Sequence, residues 1–346
     1  MATLVAHSTV RTVAVIGTGT IGSGWAALFV ARGFTVVAYV RSAASEAKFN
    51  VFLQGAWNKL LVRGIASDPE GWRAVRCERE LVDCVRDADY VQESVIEELA
   101  LKQEIIQQID ACAPPHVIIG SSSSFIPLSL IRARAKRYPE RCATVHPTLP
   151  QWDDFVEIFG ASPEYTAWLS ILFGRHVGMD AITLRREMHG HVHNWILNCI
   201  SLGSTMLVKG GFTSAEEMDR ALVHLARLII ASGGISGALV GVVGNGHADA
   251  QAALTAEVTL NAPATMTACV LSWTLPARIA AFFLYLLTAV CSWYTRSPTL
   301  KRWAVRFSKW CSADFYAEWD KGPGATRFEQ RALHRMCKLK SIDEAN

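Results

Sequence analysis

Gly17, Gly19 and Gly22 stand in the segment GTGTIGSG, directly after the apolar run Thr-Val-Ala-Val-Ile at 12–16. That spacing suits the binding of a pyrophosphate: Gly17 permits a tight turn, Gly19 lets the backbone approach the phosphates, and Gly22 lets the next helix pack closely on the strand. Thr20 and Ile21 open that helix, and WAALFVARGF continues it with the spacing of a buried helix. Its N-terminal amides and dipole favour an anion. A dinucleotide cofactor is therefore expected on Gly17, Gly19, Thr20, Ile21 and Gly22. A site for NAD usually ends its second strand with Asp or Glu to hold the ribose hydroxyls. Here the second strand, FTVVAYV at 34–40, ends in Val40 and is followed by Arg41 and Ser42. No carboxylate repels a 2′-phosphate there, and a guanidinium can make paired bonds to one. The expected cofactor is NAD or NADP, with NADP ahead by a narrow margin; the alternative for Arg41 is a solvated loop charge.

A second group of reactive side chains is His189, His191 and His193, alternating around Gly190. Residues two apart on a helix point in different directions, so these read as surface or cleft-lining histidines at a helix start, and no metal is expected. The nine cysteines form no CxxC pair and no zinc-ligand spacing, which fits reduced thiols in a cytoplasmic protein. No secretory signal is read in MATLVAHSTVRTVAVIG.

The elements that must position these residues follow from periodicity. Strand-like runs recur at 12–16, 34–40, 88–93, 116–120, 142–146 and 155–159, separated by helical patterns such as 98–112 and a long amphipathic one from about 41 to 72. Strands alternating with helices predict an α/β fold: a doubly wound, mostly parallel sheet of the Rossmann type. The alternation ends near 184, and helical patterns follow at 190–209, 214–232 and 325–340. The expected division is a Rossmann domain over 1–186 and an all-α substrate and dimerisation domain over 187–346. With 346 residues, 51% of them hydrophobic, the chain can bury a core for both. A net charge of +3, spread along the chain, gives no case for nucleic acid as a partner.

Taken together, the residues resemble the 3-hydroxyacyl-CoA dehydrogenase superfamily, and within it the branch of L-gulonate 3-dehydrogenase (lambda-crystallin) and carnitine dehydrogenase. The pieces occur in family order: GTGTIG at 17–22, VQESVIEEL at 91–99, SSSS at 121–124, HPTLP at 146–150, FVEIF at 155–159, GHVHNWILN at 190–198 and the tail ALHRMCKLKS at 332–341. The resemblance implies that His146 is the catalytic histidine, Glu157 the glutamate that orients it, Ser124 and Asn194 the groups on the substrate oxygen, and Glu97 the acidic residue of the cofactor-side loop. Ser122 and Ser123 are alternatives to Ser124. The chemistry suits these types. Oxidising a secondary alcohol needs a base for the hydroxyl proton, and imidazole, with an unperturbed pKa of roughly 6.5, fills that role near neutral pH. A neighbouring carboxylate fixes its tautomer.

This chain also departs from the family pattern. Leu149 stands where an asparagine is usual, Trp195 where an arginine is usual, and GALVG at 237–241 lacks the expected proline. The expected substrate is a small molecule less polar than a sugar acid: a fairly hydrophobic hydroxy or keto compound, of the kind found in secondary metabolism. Alternatives are an L-3-hydroxyacyl-CoA dehydrogenase and a repurposed fold without redox chemistry. Residues 279–295 carry no charge and are followed by a basic stretch to 309. The family buries this region in a subunit interface, so a homodimer through the C-terminal helices is expected, with peripheral membrane contact as the alternative.

Overall fold

The computed structural model describes Leu4 and residues 6–231. The expected tail helix, the segment 279–309 and GALVG at 237–241 lie outside the described residues. Eight strands form one sheet: β1 (Thr12–Ile16), β2 (Thr35–Tyr39), β3 (Arg76–Glu78), β4 (Tyr90–Glu93), β5 (Ile118–Ser121), β6 (Cys142–Pro147), β7 (Phe155–Gly160) and β8 (Asp180–Thr183). Their order is β3-β2-β1-β4-β5-β6-β7-β8. Every neighbouring pair is parallel except β6 with β7. The helices between them are α1 (Thr20–Ala31), α2 (Ala43–Val62), α3 (Leu81–Val85), α4 (Leu99–Cys112), the single turn α5 (Leu128–Ile131) and α6 (Pro163–Ile171), which runs on into a π-helical turn at Leu172–Val177. This is the doubly wound Rossmann architecture that the alternation predicts.

The strands read as continuous apolar runs because both sheet faces are covered. In β1 the alternate side chains Val13 and Val15 join one core, with Trp25 and Phe29 of α1, Phe49, Leu53 and Leu60 of α2, and Phe173. Ala14 and Ile16 join the other, with Cys84, Ile106, Ile109 and Ile119. The turn leading into β6 is tied to α4 by a buried pair: Arg141 Nη2 lies 3.1 Å from Asp110 Oδ1. Asp110 also accepts the amides of Lys136, Arg137 and Tyr138 at 2.7–3.1 Å.

Three elements differ from the sequence reading. The helix expected to about residue 72 ends at Val62: Gly64 adopts φ +69, which stops α2, and a 3-10 turn at Gly71–Ala74 follows. Strands β3 and β8 were not expected. The three residues of β3 are mostly polar and lie at the sheet edge, and β8 has four residues with no fully buried side chain, so neither shows an apolar period.

Contacts divide the chain at Ile196/Leu197, inside α7 (His191–Lys209), so the first turn of α7 belongs with the sheet. In the second unit α8 (Ala215–Ala231) starts at a reciprocal cap: Ser214 Oγ accepts from the Glu217 amide at 3.2 Å, and Glu217 Oε2 accepts from the Ser214 amide at 3.2 Å.

Phe29 is fully buried, its ring set among Trp25, Phe34, Tyr90 and Phe173 at 5.4–6.2 Å between centroids. Phe29→Ala is expected to cost about 3–5 kcal/mol in urea unfolding. Val51→Ala, at an exposed position of α2, should stay within about 0.5 kcal/mol. Equal effects of the two would contradict this assignment of the core.

Candidate active site

The glycine turn joins β1 to α1. Gly17 has φ +100, and a β-carbon there would lie 2.4 Å from the Ser94 carbonyl carbon in the loop after β4. A β-carbon on Gly22 would lie 1.7 Å from the Gly17 oxygen. The turn thus closes against β4 only with glycine at both places. A β-carbon on Gly19 would meet nothing within 4 Å, so the space beside it is open. Gly19 is also the N-cap of α1 and supplies no side chain to the first-turn amides. The open cradle and the uncapped amides of Thr20, Ile21 and Gly22 together fit a pyrophosphate. At the end of β2, Val40 is buried and Arg41 is exposed. Ser42 caps α2, accepting the Ser45 amide at 3.1 Å.

Further along the sheet, His146 and Glu157 are directly opposed in the antiparallel β6–β7 ladder. His146 is 3% exposed and Glu157 0%. The imidazole Nδ1 lies 2.8 Å from Glu157 Oε2. A carboxylate accepts, so Nδ1 donates and Nε2 keeps its lone pair. That nitrogen faces the amide of Asn194, with Nδ2 at 3.5 Å, and the same Nδ2 donates to the Ser124 carbonyl at 3.1 Å. The other oxygen, Glu157 Oε1, accepts the amides of Val192 at 2.8 Å and His193 at 3.1 Å at the start of α7. Burial opposes the charge on Glu157, but the bonds from His146 and the His193 amide outweigh it and hold its pKa below the usual carboxylate value.

The four serines after β5 are not equivalent. Ser121 Oγ donates to Glu93, and Ser122 Oγ accepts from Trp25 Nε1 at 3.0 Å and Gln92 Nε2 at 2.8 Å. Ser123 Oγ donates to Glu97 Oε1 at 2.6 Å. Among the described residues, Ser124 alone of the four has a hydroxyl bonded to no other group. Glu97, expected on the cofactor side, has its Oε1 occupied by the serine loop: it also accepts the amides of Phe125 and Ile126, at 2.9 and 3.2 Å. Burial opposes its charge, while Lys102, Ser123 and these amides prevail and lower its pKa.

Sequence reasoning missed Glu93 and Lys102. Both are buried, with Lys102 Nζ 3.0 Å from Glu93 Oε1 and 3.4 Å from Glu97 Oε2. A lysine in an apolar helix face was the only sign. Among the described residues, no group of three or more His, Cys, Asp or Glu is arranged for a metal, and no helix is long and apolar enough to cross a membrane.

His191 is 2% exposed, and burial and His146 together lower its pKa below the ordinary imidazole value. The unfolded chain therefore takes up a proton near pH 6.5 that the folded chain refuses, and this group makes stability fall as pH drops below about 6.5. His191→Phe should lose less stability than wild type between about pH 7.5 and 5.5 in urea titrations. An identical loss in both would place the ring in solvent.

The chain matches the family "3-hydroxyacyl-CoA dehydrogenase, NAD binding domain" over residues 12–166. L-carnitine dehydrogenase from Bacillus cereus is 31% identical over 221 residues, 63% of this chain and 67% of the relative. The Pseudomonas aeruginosa L-carnitine dehydrogenase is 34% identical over 218 residues, 62% of this chain and 67% of the relative. Among solved structures, the NAD+ dependent dismutase 5-formyl-3-hydroxy-2-methylpyridine 4-carboxylic acid 5-dehydrogenase superposes with a TM-score of 0.62 at 27% identity, over 73% of this chain and 80% of that one. A diketoreductase gives 0.56 at 26%, over 60% and 76%. With the glycine turn, the opposed His146–Glu157 pair and this coverage, the chain belongs to the 3-hydroxyacyl-CoA dehydrogenase superfamily, in its carnitine dehydrogenase branch.

Proposed function

We propose that this nicotinamide-dinucleotide-dependent dehydrogenase interconverts a secondary 3-hydroxy group and a ketone on a small, fairly hydrophobic acid not attached to CoA. The observation that carries the reading is the orientation of His146: Nδ1 is engaged by Glu157, and Nε2 faces the side-chain amide of Asn194, which itself donates to the Ser124 carbonyl. In the oxidative direction Nε2 takes the hydroxyl proton, and Glu157 stabilises the imidazolium that forms. In the reductive direction the same nitrogen returns that proton. Asn194 Nδ2 and the Ser124 hydroxyl donate to the oxygen as its charge develops. A nicotinamide dinucleotide held on Gly17–Gly22 supplies or accepts the hydride.

Side chains near these groups favour an apolar substrate. Phe125 follows Ser124 and Trp195 follows Asn194, and both flank Gly190, within 3.3 and 3.8 Å of where its β-carbon would be. Both are exposed, as is Leu149. For the cofactor, the buried Val40 and the exposed Arg41 support NADP over NAD, since the segment Val40-Arg41-Ser42 directly after β2 carries one guanidinium and no carboxylate. We further propose a homodimer.

Reduction of a series of 3-oxo acids with NADPH and NADH tests this. Turnover should rise from acetoacetate to longer-chain 3-oxo acids, and His146→Gln should lower kcat by about 10²–10⁴. Arg41→Ala should weaken NADPH binding by roughly tenfold or more while sparing NADH, because a charge-assisted bond contributes about 1.5–3 kcal/mol. Efficient, selective turnover of L-gulonate would overturn the apolar substrate, and equal affinity for both cofactors the NADP preference.

A further inference from the structure

One side chain beside the base has no part in the chemistry above. The ring of His191 lies 4.7 Å between centroids from that of His146, tilted by 39°. Its Nε2 is 2.8 Å from the Ser123 carbonyl oxygen. A carbonyl can only accept, so Nε2 carries the proton and Nδ1 keeps a lone pair. Nδ1 is buried and has no hydrogen-bond partner. A second proton there would be a buried N–H with no acceptor, which confines the ring to one neutral tautomer. The titratable groups that face it are His146 from β6, Glu157 from β7 and Glu97 from the loop after β4.

The backbone adds an independent observation. Among the described residues His191 is the only non-glycine with positive φ, at 47°, directly after Gly190 at 80°. A β-carbon is crowded in that region, and a glycine would adopt it freely. A large ring kept there against this preference is retained for what it contacts. Those contacts converge on the site: His191 and Asn194, three residues apart, donate to the consecutive carbonyls of Ser123 and Ser124.

We propose that His191 is a positioning residue for His146: tethered through Nε2–H to the serine loop, it supports the His146 ring so that the reactive Nε2 is aimed between Ser124 and Asn194. The kinetic arm of the test rests on the proposed hydroxy/keto reaction, whereas the spectroscopic arm does not.

The experiment uses the full chain carrying ring-15N histidine, in wild type, His191→Phe and His191→Gln, with His146→Gln to assign signals. Phenylalanine keeps a ring but loses the donor; glutamine keeps a donor near the position of Nε2 but loses the ring. The wild type should show one histidine that stays neutral and Nε2-protonated from about pH 8 to 5.5 and is missing from both His191 variants. The His146 Nδ1 proton on Glu157 should persist in His191→Gln and exchange with solvent in His191→Phe. In 3-oxo acid reduction, kcat should fall about tenfold or more in His191→Phe with KM within about threefold, and His191→Gln should recover most of it. A packing role gives the reverse order, since phenylalanine is the closer match in shape. That order, or an imidazolium signature at His191 by pH 5.5, would overturn the proposal. If no form reduces any 3-oxo acid, the proposed reaction fails and the ring-nitrogen spectra alone decide the role of His191.

Discussion

The site depends on one buried carboxylate with a separate task for each oxygen. Glu157 is fully buried, and an ion in that position is destabilising unless donors surround it. Three are present: His146 Nδ1 on one oxygen, and the Val192 and His193 amides on the other. The amides belong to the first turn of α7, whose positive dipole end favours the charge. The group that fixes the tautomer of His146 is therefore also the group that holds the first turn of α7, which carries Asn194. Both tasks need Glu157 opposite His146. The antiparallel β6–β7 pairing meets that need, because directly opposed residues on one sheet face have β-carbons about 5 Å apart.

A second constraint holds the serine loop. Lys102 stands between Glu93 and Glu97, and the two carboxylates in turn accept hydroxyls from Ser121 and Ser123 and the amides of Val95, Phe125 and Ile126. Such a network is rigid when each member is satisfied, and costly when one is not. It leaves the Ser124 hydroxyl and the Ser123 and Ser124 carbonyls pointing elsewhere. Those carbonyls receive His191 and Asn194, so the loop and α7 fix each other from two sides.

The sheet was legible in the sequence because covered parallel strands leave apolar runs, and the glycine turn because its steric demands fall within a few adjacent residues. The end of α2 was not: the pattern stayed amphipathic past Val62, and one left-handed glycine decided the matter. Within the site, periodicity could not pair His146 with Glu157, eleven residues away, because the pairing depends on a reversal of strand direction that neither run signals. Only the resemblance joined them. Glu93 and Lys102 looked like ordinary strand and helix residues, since burial of a charge is a property of tertiary packing. The contrast among four identical serines exists only after the chain has folded around Trp25, Gln92 and Glu97.

The order of the strands explains why these parts make one site. Arg41 follows β2, the glycine turn follows β1, Glu97 lies after β4, the serine loop follows β5, and His146 lies near the end of β6, all at the carboxyl edge of parallel neighbours. The order reverses at β1, where β2 lies on one side and β4 on the other, and loops leaving in opposite directions open a crevice there. With neighbouring strands about 4.8 Å apart, His146 stands three strands, or about 14 Å, to one side of the glycine turn, and Arg41 one strand to the other. An extended, two-ended cofactor anchored at its centre on Gly17–Gly22 would thus have one end toward the β2 side of the crevice and the other toward the β6 side. The antiparallel turn from β6 to β7 then brings Glu157 beside His146.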